Sequence, residues 1–147
     1  MGLLVEYYYA RRAEKVARLR RIVVLRAMQV QGPRQRQVAE LIENSQPAES
    51  QELSSAPDLA SAHPALLLEA ATPVLNTLAA DHGYGNLAAS ASVARGEAGD
   101  ESDIDLLVDV PPGTSGFEFL RFKEFLEQVL GREIDLISRG GAEAADR

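Results

Sequence analysis

The run Asp103-Ile104-Asp105-Leu106-Leu107-Val108-Asp109 opens with carboxylates alternating with apolar residues, continues apolar, and is stopped by Pro111-Pro112-Gly113. Such a run ended by turn residues predicts a strand, with side chains at i and i+2 on one face. Ile104 and Leu106 then point into a core, while Asp103 and Asp105 share the opposite face. Two carboxylates this close raise each other's pKa unless a cation neutralises them, so the pair invites a divalent ion such as Mg²⁺.

The flanking sequence predicts what packs under that strand. Ala65 to Ala80 reads as an amphipathic helix with Leu67, Leu68, Val74 and Leu78 inward, ended by Asp81-His82-Gly83. A strand is predicted from about Asn86 to Ser90. After the Pro-Pro-Gly stop, Phe117 to Leu130 predicts a second helix, with Phe119, Phe122, Leu126, Val129 and Leu130 inward and Gly131 as its C-cap. Glu133 to Ser138 predicts a third strand, with Ile134 and Leu136 on one face and Asp135 on the other. His63 and His82 have no evident partner in sequence and are assigned no role. The tail GGAEAADR carries no usable pattern.

The N-terminal part has a different character. Residues 1–36 hold nine Arg and Lys against Glu6 and Glu14, whereas the remainder holds six basic against twenty acidic side chains, within a net charge of −7. A basic segment ahead of an acidic body suggests a nucleic-acid-facing part and a separate metal-handling or partner-facing part. A solvated or dimer-forming helix face is the other reading, and Tyr7-Tyr8-Tyr9 reads as packing or interface. Val16, Leu19, Ile22, Val23 and Met28 predict a helix from Leu3 to about Val30, ended by Gly32-Pro33. Arg34 to Ile42 resumes a helical pattern with Val38, Leu41 and Ile42 apolar. Ser45 then reads as the N-cap of a further helix through Leu53, with Pro47 in its first turn.

The stretch RQRQVAELIENSQPAESQEL resembles the helix-turn-helix of bacterial regulators, through Gln37, Val38, Ala39, Ser45, Gln46, Pro47, Ser50 and Leu53. The resemblance implies DNA contact through Arg34, Arg36, Ser45, Gln46 and Gln51. It departs at Glu43, Asn44 and Glu49, where such regulators carry a turn glycine and aliphatic residues. A carboxylate at Glu49 costs several kcal/mol if buried, and Glu49 and Glu52 repel phosphates, so weak DNA affinity is expected. Residues 54–64, SSAPDLASAHP, read as a boundary. The expected organisation is a helical domain over 1–57, a linker over 58–64 and an α+β domain over 65–147, with a small mixed sheet flanked by helices.

Nucleotidyl transfer with two metal ions needs three converging carboxylates and a small-residue turn whose backbone N–H groups meet a triphosphate. Ser92, ten residues, Asp103-x-Asp105 and then Asp135 supply these parts in order. This arrangement resembles the minimal nucleotidyltransferase family of the polymerase beta superfamily, over residues 65–138. The resemblance implies that Ser92 contacts a terminal phosphate and Arg95 neutralises phosphate charge. It also implies that Asp103 and Asp105 hold Mg²⁺, and that Asp135 completes the site and helps activate an attacking hydroxyl. Family members preceded by a helix-turn-helix include antitoxins and regulators, some similar to enzymes that transfer AMP to a partner toxin. ATP, a protein acceptor and DNA are thus the implied partners. A DNA-binding regulator with an inactive transferase fold is the alternative.

Ala91 stands where the family has glycine before the serine, and Ser90 where it has an apolar residue. A methyl group there adds about 1 kcal/mol of strain if φ is positive. Triphosphate binding is expected to suffer more than metal binding. With no cysteine, disulfides and thiolate metal sites are excluded. No apolar run approaches the roughly 18 residues of a membrane span, and no signal-peptide order is present, so a cytoplasmic protein without membrane contact is expected.

Overall fold

The structure is a computed structural model that describes residues 2–45, 59, 61–89 and 104–139. In chain order the elements are α1 (Gly2–Gln31), α2 (Pro33–Ser45), α3 (Pro64–Asp81), β1 (Gly85–Ala89), β2 (Ile104–Asp109), α4 (Gly116–Leu130) and β3 (Ile134–Ser138). The strands form one sheet in the order β1-β2-β3, antiparallel between β1 and β2 and parallel between β2 and β3. The α+β architecture with a mixed sheet is therefore as expected. None of the described helices is long and apolar enough to cross a membrane.

One face of the sheet makes the core. Leu87, Ile104, Leu106, Val108, Ile134 and Leu136 are buried in one cluster with Leu67, Leu75 and Leu78 of α3 and Phe122, Leu126 and Leu130 of α4. The same cluster takes in Val16, Leu19, Ile22, Val23 and Ala27, recurring at helical spacing on α1. Leu59, inside the expected linker, is fully buried in it. Ala62 packs against the same cluster. On α2, Val38 is 41% and Leu41 68% exposed, whereas Ala39 is fully buried.

Gly32 ends α1 with φ of 142°, a value that L side chains rarely adopt, and Pro33 opens α2, where a missing N–H is harmless. The expected turn at Glu43 and Asn44 is corrected by the structure: α2 continues through both to Ser45, its last residue. No glycine or proline interrupts Arg34–Ser45, and Gln29 Nε2 on α1 donates to Glu43 Oε1 at 3.2 Å, holding that turn of α2 in place. The expected helix over 46–53 lies outside the described residues.

Several N-terminal arginines are tied inward. Pro73 sits inside α3 and has no N–H for the carbonyl of Glu69. Arg20 Nη2 donates to that carbonyl at 3.1 Å, and its Nε donates to the Ala70 carbonyl at 2.8 Å. Arg26 does the same at the end of α4, donating to the carbonyls of Val129 and Gln128 at 3.1 and 2.7 Å. These are among the last four carbonyls of that helix, which lack intrahelical donors. Arg12 pairs with Glu69. The basic character of this segment is in part a requirement of helix packing.

These contacts also set direction. Arg20 meets residues 69 and 70, and Met28 and Gln31 share a cleft with Thr77, Leu78 and Asp81, so α1 and α3 run parallel. Counting back, Pro64 lies alongside about residue 14 of α1. Residues 2–13 extend past the start of α3 by roughly 18 Å at 1.5 Å per residue.

The histidines are structural. His63 is the N-cap of α3, its Nδ1 accepting from the Ala65 amide at 3.1 Å. His82 ends the helix and packs on Phe122 and Phe125, with ring centroids 5.5 and 5.1 Å away.

The Arg20 interaction yields a thermodynamic test. Arg20→Ala should destabilise the protein by about 1–2 kcal/mol in urea unfolding, because the Glu69 carbonyl loses its donor and the part-buried bond to the Ala70 carbonyl is lost as well. In a Pro73→Ala background, where residue 73 again supplies an amide, the loss should shrink by about 1 kcal/mol. Equal losses in both backgrounds would contradict the assignment.

Candidate active site on the uncovered face of the sheet

Alternation along β2 and β3 sends every second side chain away from the core. Asp105, Leu107, Asp109, Asp135 and Ile137 occupy this second face, and none of them is buried. The parallel register places Ile104 opposite Ile134, Asp105 opposite Asp135 and Leu106 opposite Leu136. Adjacent strands lie about 4.8 Å apart. Asp105 and Asp135, expected from sequence to cooperate, therefore stand side by side on one face.

The turn before β3 is closely held. Gly131 caps α4 with φ of 71°, its N–H donating to the Glu127 carbonyl at 2.8 Å. The Glu127 carboxylate then accepts the amide of Ile134 at 3.0 Å, fixing the first residue of β3. Arg132 reaches back to the Ala62 carbonyl at 3.0 Å. Asp135 thus sits one residue beyond an anchored point. At the start of α4, the Ser115 hydroxyl accepts the Glu118 amide at 3.0 Å, a cap the sequence reading did not single out.

β1 is anchored by a bulge. Gly85 pairs with Asp109 and Ala88 with Leu107, so Asn86 and Leu87 together oppose Val108. Asn86 has φ of 51°, and both backbone polar groups of Leu87 bond the Asn76 carboxamide, at 3.0 Å from the amide and 2.9 Å to the carbonyl. Ala89 pairs with Leu106, next to Asp105. Segment 90–103 accordingly leaves and rejoins the sheet at the carboxylate end. Ala91, Ser92, Arg95 and Asp103 lie within it and so outside the described residues; Gln46 and Gln51 also lie outside the described residues. Arg34 and Arg36 lie exposed on α2, and Ser45 is its last residue.

The far end of the same face holds a group that the sequence reading missed. Asp109 Oδ2 accepts from Asn86 Nδ2 at 2.7 Å, and Oδ1 accepts from Arg139 at 2.8 Å. The bonds from Asn86 and then Arg139 hold the Asp109 carboxyl below its ordinary value of 3.8. Parity alone put Asp109 on the face of Asp105. Its pairing with Arg139 needs the register, in which Val108 faces Ser138.

Along β2 the uncovered face reads carboxylate, apolar, ion pair: Asp105 with Asp135, Leu107 with Ile137, and Asp109 with Arg139. Among the described residues no group of three or more His, Cys, Asp or Glu is gathered for a metal ion. The Asp105 and Asp135 pair supplies two hard anionic oxygen donors on a face that none of the described helices covers. That donor set suits Mg²⁺, which takes one or two carboxylates and completes its shell with water and phosphate oxygens.

A mixed sheet with helices on one face and paired carboxylates on the other is the setting in which comparison with known families becomes specific. Residues 89–146 match the family described as Nucleotidyltransferase domain, a stretch that contains β2, α4, β3 and both carboxylates. Three curated relatives carry related names. A Methanocaldococcus jannaschii protein named as a putative protein adenylyltransferase is 40% identical over 57 residues, covering 39% of this chain and 61% of the relative. The protein adenylyltransferase MntA of Thermococcus cleftensis is 42% identical over 48 residues, covering 33% and 48% respectively. A second such M. jannaschii protein is 41% identical over 56 residues, covering 37% and 56%. The chain spans about half to three-fifths of the length of these relatives. No solved structure gives a significant match.

Proposed function

We propose that this protein is a Mg²⁺-dependent nucleotidyltransferase that moves AMP from ATP to a hydroxyl of a protein partner. The observation that carries the reading is the in-register placement of Asp105 beside Asp135 on the uncovered face, within a stretch matching the Nucleotidyltransferase domain. The names of the relatives support protein adenylylation as the particular reaction.

Asp105 and Asp135, with Asp103 preceding β2, would hold Mg²⁺. The ion would neutralise phosphate oxygens and favour ionisation of the acceptor hydroxyl. Asp135 is the carboxylate assigned to orient that hydroxyl and receive its proton. The bond from the hydroxyl oxygen to the α-phosphorus forms as the bond to the β-phosphate oxygen breaks, and pyrophosphate leaves. Ser92 and Arg95 are assigned to the departing phosphates. A partner toxin as acceptor would make the protein an antitoxin.

The test uses ATP labelled at the α-phosphate, Mg²⁺ and the protein encoded by the neighbouring gene. The partner should become labelled, and EDTA should abolish transfer. Asp105→Asn or Asp135→Asn should slow it by about a hundredfold or more, since metal stabilisation of the transition state amounts to several kcal/mol. Absence of label with any divalent metal, or unchanged label in both variants, would contradict the proposal.

A second reading, DNA contact through α2 and the residues after it, is supported by the exposed Arg34 and Arg36. It makes the protein a regulator whose transferase fold serves as a docking scaffold. If both arginines contact phosphates, Arg34→Ala with Arg36→Ala should lower the slope of log K against log salt by about 2 in gel shifts on upstream DNA. No measurable affinity at low salt would contradict it.

A further inference from the structure

Beyond the carboxylate pair, the uncovered face carries two more rows that the proposed metal and phosphate contacts leave unused. The first is apolar on all three strands: Ala88 pairs with Leu107 and Leu107 with Ile137, none of them is buried, and Ile137 is 43% exposed. The second is the Asp109 and Arg139 ion pair, with side chains 46% and 41% exposed. Asp109 has one oxygen on Asn86 and the other on Arg139. An arginine carries five N–H donors in a planar fork. Among the described residues, the side-chain bond that Arg139 makes is the one from Nη1 to Asp109. Asp109 thus orients this guanidinium and balances its charge, while leaving N–H donors for a further oxygen.

In-line displacement determines what these rows meet. The attacking and leaving oxygens stand on opposite sides of the α-phosphorus. β1 ends at Ala89, beside the start of β2, so the segment assigned to the leaving phosphates joins the sheet at the carboxylate end. With pyrophosphate leaving toward that end, the attacking hydroxyl comes from the other side of Asp105 and Asp135, over Leu107 and Ile137. Same-face positions on a strand lie about 6.6 Å apart, which is also the two-residue repeat of an extended segment laid along it. Resting on the transferase reading above, we infer that the acceptor segment of the protein partner lies extended over these two rows. Its residue two positions from the hydroxyl-bearing one is apolar and sits on Leu107 and Ile137. About four positions away, a main-chain carbonyl accepts from Arg139. A carbonyl fits because Asp109 already balances the charge of Arg139, so what remains is directional donation. The acceptor takes this side in preference to the adenosine, since only the attacking oxygen must stand opposite the leaving group.

The test follows transfer from ATP labelled at the α-phosphate to the protein encoded by the neighbouring gene, beside affinity for Mn²⁺ with a non-hydrolysable ATP analogue. Ile137→Asp and Arg139→Ala should each lower kcat/KM for the partner by about tenfold or more, as loss of an apolar or hydrogen-bonded substrate contact does. Ile137→Thr, which keeps the strand preference, should lower it by about threefold or more. Ile137→Val and Arg139→Lys should retain most of the transfer, and nucleotide affinity should not change in any variant. Labelling of the partner by the unsubstituted protein, unaltered by Ile137→Asp, Ile137→Thr and Arg139→Ala, would overturn this inference and leave the transferase reading standing. Nucleotide affinity that falls in step with transfer would place the adenosine on these rows and overturn it as well. No label from the unsubstituted protein with any divalent metal would overturn the transferase reading, and the inference with it.

Discussion

The parallel register between β2 and β3 is the constraint on which the site depends. One alternation does two things: it buries Ile104, Leu106, Val108, Ile134 and Leu136 against the helices, and it turns Asp105 and Asp135 to the opposite face. A slip of one residue in β3 would exchange the faces and drive Asp135 into the core, where an unpaired carboxylate is strongly disfavoured. The apolar residues therefore position the carboxylates. Glu127 and Gly131 secure that register by fixing where β3 starts.

The long N-terminal helix is part of the same construction. α1 packs its buried stripe against the helices that cover the sheet, and its arginines supply donors to carbonyls that α3 and α4 leave unsatisfied. Pro73 shows the logic most directly. A proline inside a helix removes one donor, and a guanidinium from the neighbouring helix replaces it. The local clustering of positive charge that pointed to nucleic acid thus has a structural cause for Arg20 and Arg26; Arg36, though exposed, also donates to the Gln29 carbonyl at 3.5 Å, and Arg34 lies exposed on α2.

Much of the fold was legible because half-buried elements write their period into the sequence. Alternation at 104–109 and 134–138, and helical spacing in α1, α3 and α4, each report a buried face. The carboxylate pair was legible for the same reason, since Asp105 and Asp135 break the apolar pattern in phase. The end of α2 was not, because Glu43 and Asn44 are compatible with helix or turn and Gln29 lies fourteen residues away. The bulge in β1 was equally hidden, since the Leu87 backbone finds its partners on Asn76 in α3. Asp109 was visible by parity, yet Arg139 becomes its partner only through the register of two strands separated by a helix.

The central claim is that the Asp105 and Asp135 end of the uncovered face holds the metal and the phosphates. It is tested most directly by paramagnetic broadening of assigned amide resonances on addition of Mn²⁺ with a non-hydrolysable ATP analogue. The account predicts that the amides of Asp105 and Asp135 broaden together, before those of Asp109 and Arg139. Broadening centred on Asp109 and Arg139, or none at either end, would contradict it.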